Sequence, residues 1–145
     1  MDHYTPKNFM LTESVGFALT KARNLITSEM DAALKDLDIT SPQMGILLSI
    51  SRGIATTPYG LSKLLSVDTG LMTRLLDKLE DKGLVERSRC AEDRRVVNLA
   101  LTTEGQAVAA QIPHIAPKVL NARLRKFTKA EFDELRRLLG KFIGE

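Results

Sequence analysis

The sequence is poor in the residues that disulfides and metal sites require. Its 145 residues include one cysteine, Cys90, two histidines and no tryptophan. A single cysteine cannot form an internal disulfide or complete a zinc-binding spacing. No apolar run approaches the roughly 18 residues that cross a bilayer, and no secretory signal pattern is recognisable. We therefore expect a cytoplasmic protein with no metal, no other cofactor and no membrane partner.

The sequence also lacks the signatures of common enzyme classes. Its two histidines, His3 and His114, belong to no cluster of metal ligands. It has no nucleophile elbow and no glycine-rich phosphate loop. We therefore expect that the protein is not an enzyme. Its length and hydrophobic content fit one globular domain.

Positive charge is in small excess and is unevenly distributed. The net charge is +3, with nine basic and seven acidic residues in 52–95, and eight basic and four acidic residues in 118–145. A surplus of this size permits binding to phosphates without requiring it. A solvated helix face is the simpler interpretation of the basic segment 118–145.

Hydrophobic periodicity and capping signals predict six helices and one β-hairpin. The predicted helices cover about residues 12–37, 40–52, 57–65 and 68–82, strands follow at about 85–89 and 95–101, and the last helices begin near residues 103 and 128. Capping boxes are expected at three of these starts, Thr40 with Gln43, Thr103 with Gln106, and Thr128 with Glu131. Pro113 and Pro117 should kink or interrupt the fifth helix. The predicted fold class is mainly α with a small β-hairpin wing.

The two short helices before the hairpin have the pattern of a winged helix-turn-helix, in which the second helix enters the major groove of DNA. We expect this helix to bury a leucine stripe made of Leu71, Leu75 and Leu79, with Met72 and Leu76 alongside. Its outer face then carries small residues and donors that can approach bases and phosphates, namely Thr69, Gly70, Thr73, Arg74 and Lys78. An ordinary amphipathic helix with a solvated face is the alternative.

The hairpin supplies a second candidate contact with DNA. Apolar residues alternate along its second strand from Val97 to Leu101, so the adjacent Arg94 and Arg95 fall at or near the tip. A guanidinium on a thin loop suits the narrow and strongly negative minor groove. Asp93 could hold one of the two arginines by a charge-assisted contact. The alternative is a pair of solvated charges at the wing tip.

Residues 61–105, LSKLLSVDTGLMTRLLDKLEDKGLVERSRCAEDRRVVNLALTTEG, resemble the MarR (multiple antibiotic resistance regulator) family of bacterial transcription factors. The matching features are the recognition-helix run TRLLDKLEDKGLV, the wing-tip DRR, and the LTTEG that opens the next helix. The chain length and the flanking helices also fit. The resemblance therefore covers essentially the whole sequence.

The resemblance implies a homodimer that binds double-stranded DNA. The helices at about 8–38 and 103–143 would form the dimerisation part, and residues 40–102 the DNA-binding part, with the helix-turn-helix at about 57–82 and the wing at about 84–101. Two recognition helices would then read a pseudo-palindromic operator with half-sites about one helical turn apart.

Individual residues match functional positions of the family. Arg95 matches the arginine that enters the minor groove, and Asp93 matches its partner. The recognition-helix contacts correspond to Thr69, Thr73 and Arg74. Asp77 and Arg87 stand where family members often join the recognition helix to the wing.

The resemblance also implies a repressor that releases DNA when a small anionic aromatic or phenolic effector binds between the two parts. Arg23, Met44, Leu48 and His114 are the candidate contacts with this effector. The absence of tryptophan argues against a urate-type site. Two alternatives stay open: a winged-helix protein–protein interaction module, and a redox-responsive regulator that acts through Cys90.

Overall fold

The computed structural model describes residues 1–145 and contains six α-helices and one antiparallel hairpin. In chain order these are α1 (Val15–Ala33), α2 (Ser41–Ser51), α3 (Pro58–Leu65), α4 (Thr69–Asp81), β1 (Val85–Arg89), β2 (Val97–Leu101), α5 (Thr103–Leu124) and α6 (Lys129–Ile143). Short 3₁₀ turns at Leu11–Glu13 and Lys35–Leu37 flank α1. The predicted fold class and order of elements are confirmed.

Polar caps explain where most helices begin. The predicted capping boxes at Thr40–Gln43 and Thr128–Glu131 are both present. The third predicted box is wrong. Thr102 caps α5 instead, and its Oγ1 accepts a hydrogen bond from the Gly105 N–H at 2.9 Å, because Thr103 already lies inside the helix.

The first helix is shorter than its hydrophobic pattern predicts. Ser14 Oγ accepts a hydrogen bond from the Phe17 N–H at 3.1 Å, so α1 begins at Val15 rather than at Thr12. After α1 the chain tightens into a 3₁₀ turn, which ends at Asp38 with a left-handed φ of 55°. A 3₁₀ turn places side chains at a spacing close to that of an α-helix. The spacing of the apolar residues therefore does not show where α1 ends and the 3₁₀ turn begins.

The fifth helix is continuous, although it contains two prolines. It runs without a break from Thr103 to Leu124, so Pro113 and Pro117 do not interrupt it, and a kink at these residues stays a prediction. Both prolines are exposed, whereas Ala109 and Ile112 are buried against the core. Tertiary packing of this kind supplies most of the stability of helices in proteins, and it offsets the hydrogen bonds that the prolines remove.

The core lies beneath the helix-turn-helix and the hairpin, and the end of α1 and the first half of α5 complete it. Leu34, Ile46, Leu47, Leu61, Leu79 and Ile112 are its most completely buried members. The hairpin contributes Leu99, which is buried between the half-buried Val97 and Leu101. Strand β2 begins at Val97, two residues later than predicted, because Arg94 and Arg95 form the turn.

A close backbone contact joins the hairpin to α5. A Cβ at Gly105 would lie 2.0 Å from the carbonyl oxygen of Leu84, which immediately precedes β1. The Thr102 N–H donates to the same carbonyl at 3.1 Å, and Thr102 Oγ1 donates to the Gly83 carbonyl at 2.6 Å. Only glycine permits this approach, which explains the glycine of the LTTEG sequence.

The helices at the two ends of the chain are poorly covered within one protomer. Helix α6 has no buried residue, and α1 buries only Met30. On α6, Leu138 is 48% exposed and Phe142 is 63% exposed. These faces are apolar but are not packed against the core. No helix combines the length with the apolar composition that a bilayer crossing needs.

The contact at Gly105 predicts a large difference between two glycine substitutions. Gly105→Ala should destabilise the fold by about 1–3 kcal/mol or more, because the new methyl group overlaps backbone that cannot move freely. Gly140→Ala is the matched control, since a Cβ at that position in α6 meets nothing within 4 Å. It should be neutral or should stabilise the helix by about 0.5–1 kcal/mol. Urea unfolding of both variants measures the difference, and equal midpoints would contradict the role of Gly105.

Candidate nucleic-acid interface

Helix α4 presents a polar outer face over an apolar base. Met72, Leu76 and Leu79 are buried, and Leu75 is half-buried. The predicted burial of Leu71 is wrong: this residue is 37% exposed, because it lies at the edge of the buried stripe. The predicted outer residues Thr69, Gly70, Thr73, Arg74 and Lys78 are all exposed on the same helix.

The first turn of α4 has little side-chain bulk. Asp68 Oδ1 caps the helix by accepting from the Leu71 N–H at 2.8 Å. A Cβ at Gly70 would lie 3.3 Å from that carboxylate oxygen and 3.7 Å from Nη1 of Arg74, so the guanidinium lies above the glycine. Thr73 Oγ1 donates to the Thr69 carbonyl at 2.9 Å and keeps its lone pairs free as acceptors. This end of the helix can approach a flat surface closely.

The wing is an antiparallel hairpin with a compact tip. Val85 pairs with Leu101 and Arg89 pairs with Val97. At the tip, the Cys90 N–H donates to the Val96 carbonyl at 3.0 Å. The Leu99 N–H donates to the Thr56 carbonyl at 2.8 Å, which attaches β2 to the segment before α3. The wing therefore has a fixed position relative to the helix-turn-helix.

Asp93 orients Arg95 at the wing tip. Asp93 Oδ1 accepts from the Arg95 backbone N–H at 3.0 Å and from Nε at 3.1 Å, and Oδ2 accepts from Nη2 at 3.3 Å. The side-chain hydrogen bonds from Arg95, followed by the one from its backbone, lower the pKa of Asp93. The Arg95 side chain is 92% exposed. The structure thus brings together the predicted pair and presents the guanidinium to solvent.

Arg94 is held differently from its neighbour. Its carbonyl accepts a hydrogen bond from Arg89 Nη1 at 3.0 Å, whereas its own side chain has no hydrogen-bonded or ionic partner. Arg94 adds charge to the tip, but only Arg95 has a carboxylate that fixes the direction of its guanidinium.

A second ion pair joins α4 to the wing. Arg87 Nη1 lies 2.8 Å from Asp77 Oδ1 and 3.6 Å from Glu80 Oε1. The predicted link between Asp77 and Arg87 is present, and Glu80 is an additional partner that sequence reasoning missed. Its position three residues after Asp77 on the same helix face was the available signal.

Cys90 lies at the start of the wing tip and is half-buried. Backbone N–H groups of Asp93 and then Glu92 lie near its sulfur and lower the pKa of the thiol. The redox-responsive alternative stays a prediction. No group of three or more histidine, cysteine, aspartate or glutamate side chains is arranged to hold a metal ion.

The four candidate effector contacts do not line a common cavity. Arg23 on α1 and His114 on α5 are exposed, whereas Met44 and Leu48 on α2 are half-buried and pack against the core. None of the five principal surface grooves is lined by any of these residues.

One groove lies beside the wing and was missed by sequence reasoning. Its lining comes from Thr57–Tyr59 at the start of α3 and from Arg95–Val97 on the wing. Lys63 Nζ lies 5.3 Å from the centroid of the Tyr59 ring at the rim of this groove. The spacing of these two residues, four apart on one helix, was a signal for contact between their side chains but not for the groove.

Comparison with known proteins decides the family. The model for the "MarR family" matches residues 39–97. The chain is 41% identical over 111 residues to the multiple antibiotic resistance protein MarR of Escherichia coli strain K12, covering 76% of this chain and 77% of that protein. The chain belongs to the MarR family. This assignment confirms the resemblance that the motifs indicate.

Further comparisons agree with this assignment. The HTH-type transcriptional regulator SarZ of Staphylococcus aureus strain MRSA252 is 28% identical over 140 residues, covering 88% of this chain and 95% of SarZ. A solved structure of a mutant E. coli MarR complexed with operator DNA matches with a TM-score of 0.83 at 33% identity. It covers 93% of this chain and 99% of that one. The chain is therefore a winged-helix transcriptional regulator of the MarR family, which confirms the expectation that it is not an enzyme.

The contact between Asp93 and Arg95 predicts a change in titration. Arg95→Gln should raise the pKa of Asp93 toward its ordinary value of 3.8, because the charged donors are lost. The stabilisation by this contact is present above the ordinary pKa and is lost as the pH falls through the lowered one. Carboxyl NMR titration measures the shift. Arg94→Gln is the matched control and should leave the pKa of Asp93 unchanged; equal effects of both variants would contradict the assignment.

Proposed function

We propose that the protein is a homodimeric, sequence-specific DNA-binding transcriptional repressor. The observation that carries the proposal is the joint presentation of a low-bulk polar helix face on α4 and of the Asp93-oriented Arg95 on a rigidly attached wing. The operator DNA in the solved complex of the related E. coli MarR supports DNA as the partner.

Major-groove recognition is assigned to the outer face of α4. Gly70 lets the helix approach the base edges, and Arg74 above it can donate two parallel hydrogen bonds to a guanine. Thr69 and Thr73 offer hydroxyl groups to bases or phosphates, and Lys78 adds charge farther along the helix. The hydroxyl of Thr73 acts as an acceptor as long as it donates to Thr69.

Minor-groove contact is assigned to the wing tip. Arg95 is charged, exposed and already oriented, so little side-chain entropy is lost when it enters the groove. Asp93 serves as its positioning residue, and Arg94 adds charge next to it. The ion pair between Arg87 and Asp77 keeps the wing in register with α4, so that the two grooves are engaged together.

Dimerisation is assigned to the end helices, residues 8–38 and 103–143, with residues 40–102 as the DNA-binding part. The apolar face of α6 and the first half of α1 are left uncovered by the protomer. An apolar groove between α1, the end of α5 and α6 continues this surface, and Leu25, Ile26, Phe127 and Leu135 are among the residues that line it. A second copy of the chain would cover these residues and would place two α4 helices on one face of DNA.

We also propose that a small anionic aromatic or phenolic effector releases the DNA. Arg23 on α1 would supply the positive charge, and Met44 and Leu48 would supply apolar contacts, with His114 as a further polar group. These side chains lie on α1, α2 and α5, which pack against one another, and we expect an effector bound among them to shift these helices relative to one another. Such a shift would change the separation of the two recognition helices.

A protein–protein interaction module is the competing function for the same fold. It predicts binding that depends weakly on salt, because an apolar interface releases few counterions. Binding to DNA through phosphate neutralisation weakens steeply as salt rises. Membership of the MarR family favours the DNA-binding proposal.

The wing proposal predicts different effects for the two adjacent arginines. Arg95→Ala should cost about 1–3 kcal/mol of DNA affinity, because an oriented minor-groove contact is lost. Arg94→Ala should cost less, since its side chain has no orienting partner. Fluorescence anisotropy with a labelled duplex measures the affinities, and sedimentation checks that each variant stays a dimer. Unchanged affinity of Arg95→Ala would overturn the minor-groove role.

The dimer proposal predicts a monomer when charges are placed on the apolar face of α6. Leu138→Glu combined with Phe142→Glu should dissociate the dimer, because two carboxylates would lose their hydration at the interface. Lys141→Glu changes charge on the same helix but not on its apolar face, and it should leave the dimer intact. Sedimentation velocity distinguishes the species. A persisting dimer in the double variant would refute the assignment of α6.

A further inference from the structure

A long-range contact ties the end of α4 to the turn after α1, and none of the proposed DNA contacts explains it. Lys82, the C-cap residue of α4, donates from Nζ to the backbone carbonyl of Asp38, 44 positions earlier in the sequence. No backbone N–H donates to that carbonyl, so Lys82 is its hydrogen-bond partner. The ammonium group also lies 3.8 Å from Asp38 Oδ2, but that side chain is 90% exposed. The carbonyl is therefore the principal acceptor, because an exposed ion pair contributes little.

The turn that carries Asp38 is itself firmly held. Asp38 ends the 3₁₀ turn after α1 and has a left-handed φ of 55°. Leu34 before the turn and Ile39 after it are buried in the core. Asp31 on α1 accepts a hydrogen bond from the N–H of Ser41, the first residue of α2, at 2.6 Å. The Asp38 carbonyl is therefore a fixed point at the junction of α1 and α2.

Helices α1 and α5, which are assigned to dimerisation, thus hold the same end of α4. Lys82 attaches this end to the turn after α1, and Thr102 at the start of α5 donates to the carbonyl of Gly83 at 2.6 Å. The opposite end, at Thr69 and Gly70, carries the proposed base contacts. The 13 residues of α4 span about 20 Å. A rotation of about 10° at the held end therefore moves the other end by about 3 Å, close to the rise of one base pair.

We propose that Lys82 determines how strictly the dimer discriminates between operators that differ in the spacing of their half-sites. The inference rests on the proposed function, in which two α4 helices enter the major groove about one helical turn apart. Lys82 is a positioning residue, because it lies at the end of α4 away from the base contacts and sets the angle between α4 and α1. Without its hydrogen bond each α4 can pivot, and the dimer then accepts half-sites that are one base pair too close or too far apart.

The decisive variant is Lys82→Met, which keeps most of the aliphatic chain and removes the donor. Lys35→Met is the matched control, because Lys35 lies on the 3₁₀ turn that Asp38 ends, is exposed and has no side-chain partner. Asp38→Asn keeps the backbone carbonyl, and asparagine tolerates a left-handed φ. Fluorescence anisotropy measures the affinities for the duplex recovered by selection and for two duplexes whose half-sites are one base pair closer or farther apart.

The ratio of affinities for correct and altered spacing is the expected readout. It should fall several-fold in Lys82→Met, whereas Lys35→Met and Asp38→Asn should keep the wild-type ratio. The slope of log affinity against log salt should stay the same in Lys82→Met, because no phosphate contact is lost. An unchanged ratio would overturn the proposal, and so would a smaller slope, since Lys82 would then contact DNA directly. If the wild-type protein prefers no spacing, the proposed function fails as well.

The distance between the two α4 helices in the free dimer tests the same inference without DNA. A spin label at Lys78→Cys, in a Cys90→Ser background, reports this distance by pulsed electron paramagnetic resonance. Adding Lys82→Met should broaden the distribution of distances, whereas adding Lys35→Met should not. Equal widths would show that Lys82 does not hold α4 in place and would overturn the proposal. A background protein with no distance between labels would be a monomer, which would contradict the proposed dimer and this inference with it.

Discussion

The position of every proposed DNA contact depends on the joint where α5 meets the start of the wing. There the carbonyl of Leu84 lies so close to Gly105 that no side chain fits between them, and Thr102 donates to the carbonyls of both Gly83 and Leu84. This joint fixes the end of α4, the first wing strand and the start of α5 relative to one another. The ion pair of Arg87 with Asp77 and the hydrogen bond from Leu99 to Thr56 then restrict the wing further.

A second constraint acts on the protomer as a whole. The core takes side chains from the helix-turn-helix, the hairpin, the end of α1 and the first half of α5, and it leaves α6 without a buried residue. Apolar surface on this scale favours association with a partner. If the partner is a second copy of the chain, its association covers α6 and also places two recognition helices side by side. We therefore treat dimerisation and DNA binding as one proposal.

Much of the fold could be predicted from the sequence because its signals are local. Capping boxes, a left-handed glycine at Gly83 and the alternation in β2 each specify an element within a few residues. Two of the errors have tertiary causes. Packing against the core keeps α5 helical through two prolines. The exposure of Leu71 depends on which residues pack beside it, so the helical spacing of the leucines on α4 does not reveal it.

At the site, the DRR motif predicted the pairing of Asp93 with Arg95. The groove between α3 and the wing joins segments almost 40 residues apart, so no local pattern indicated it.

The most direct test of DNA recognition by a dimer is selection from a pool of random duplexes by the purified protein, followed by titration of the recovered duplex at two salt concentrations. We predict an inverted repeat whose half-sites lie about one helical turn apart, with an affinity that falls steeply as salt rises. Recovery of no common sequence at low salt, or binding that does not respond to salt, would contradict this prediction.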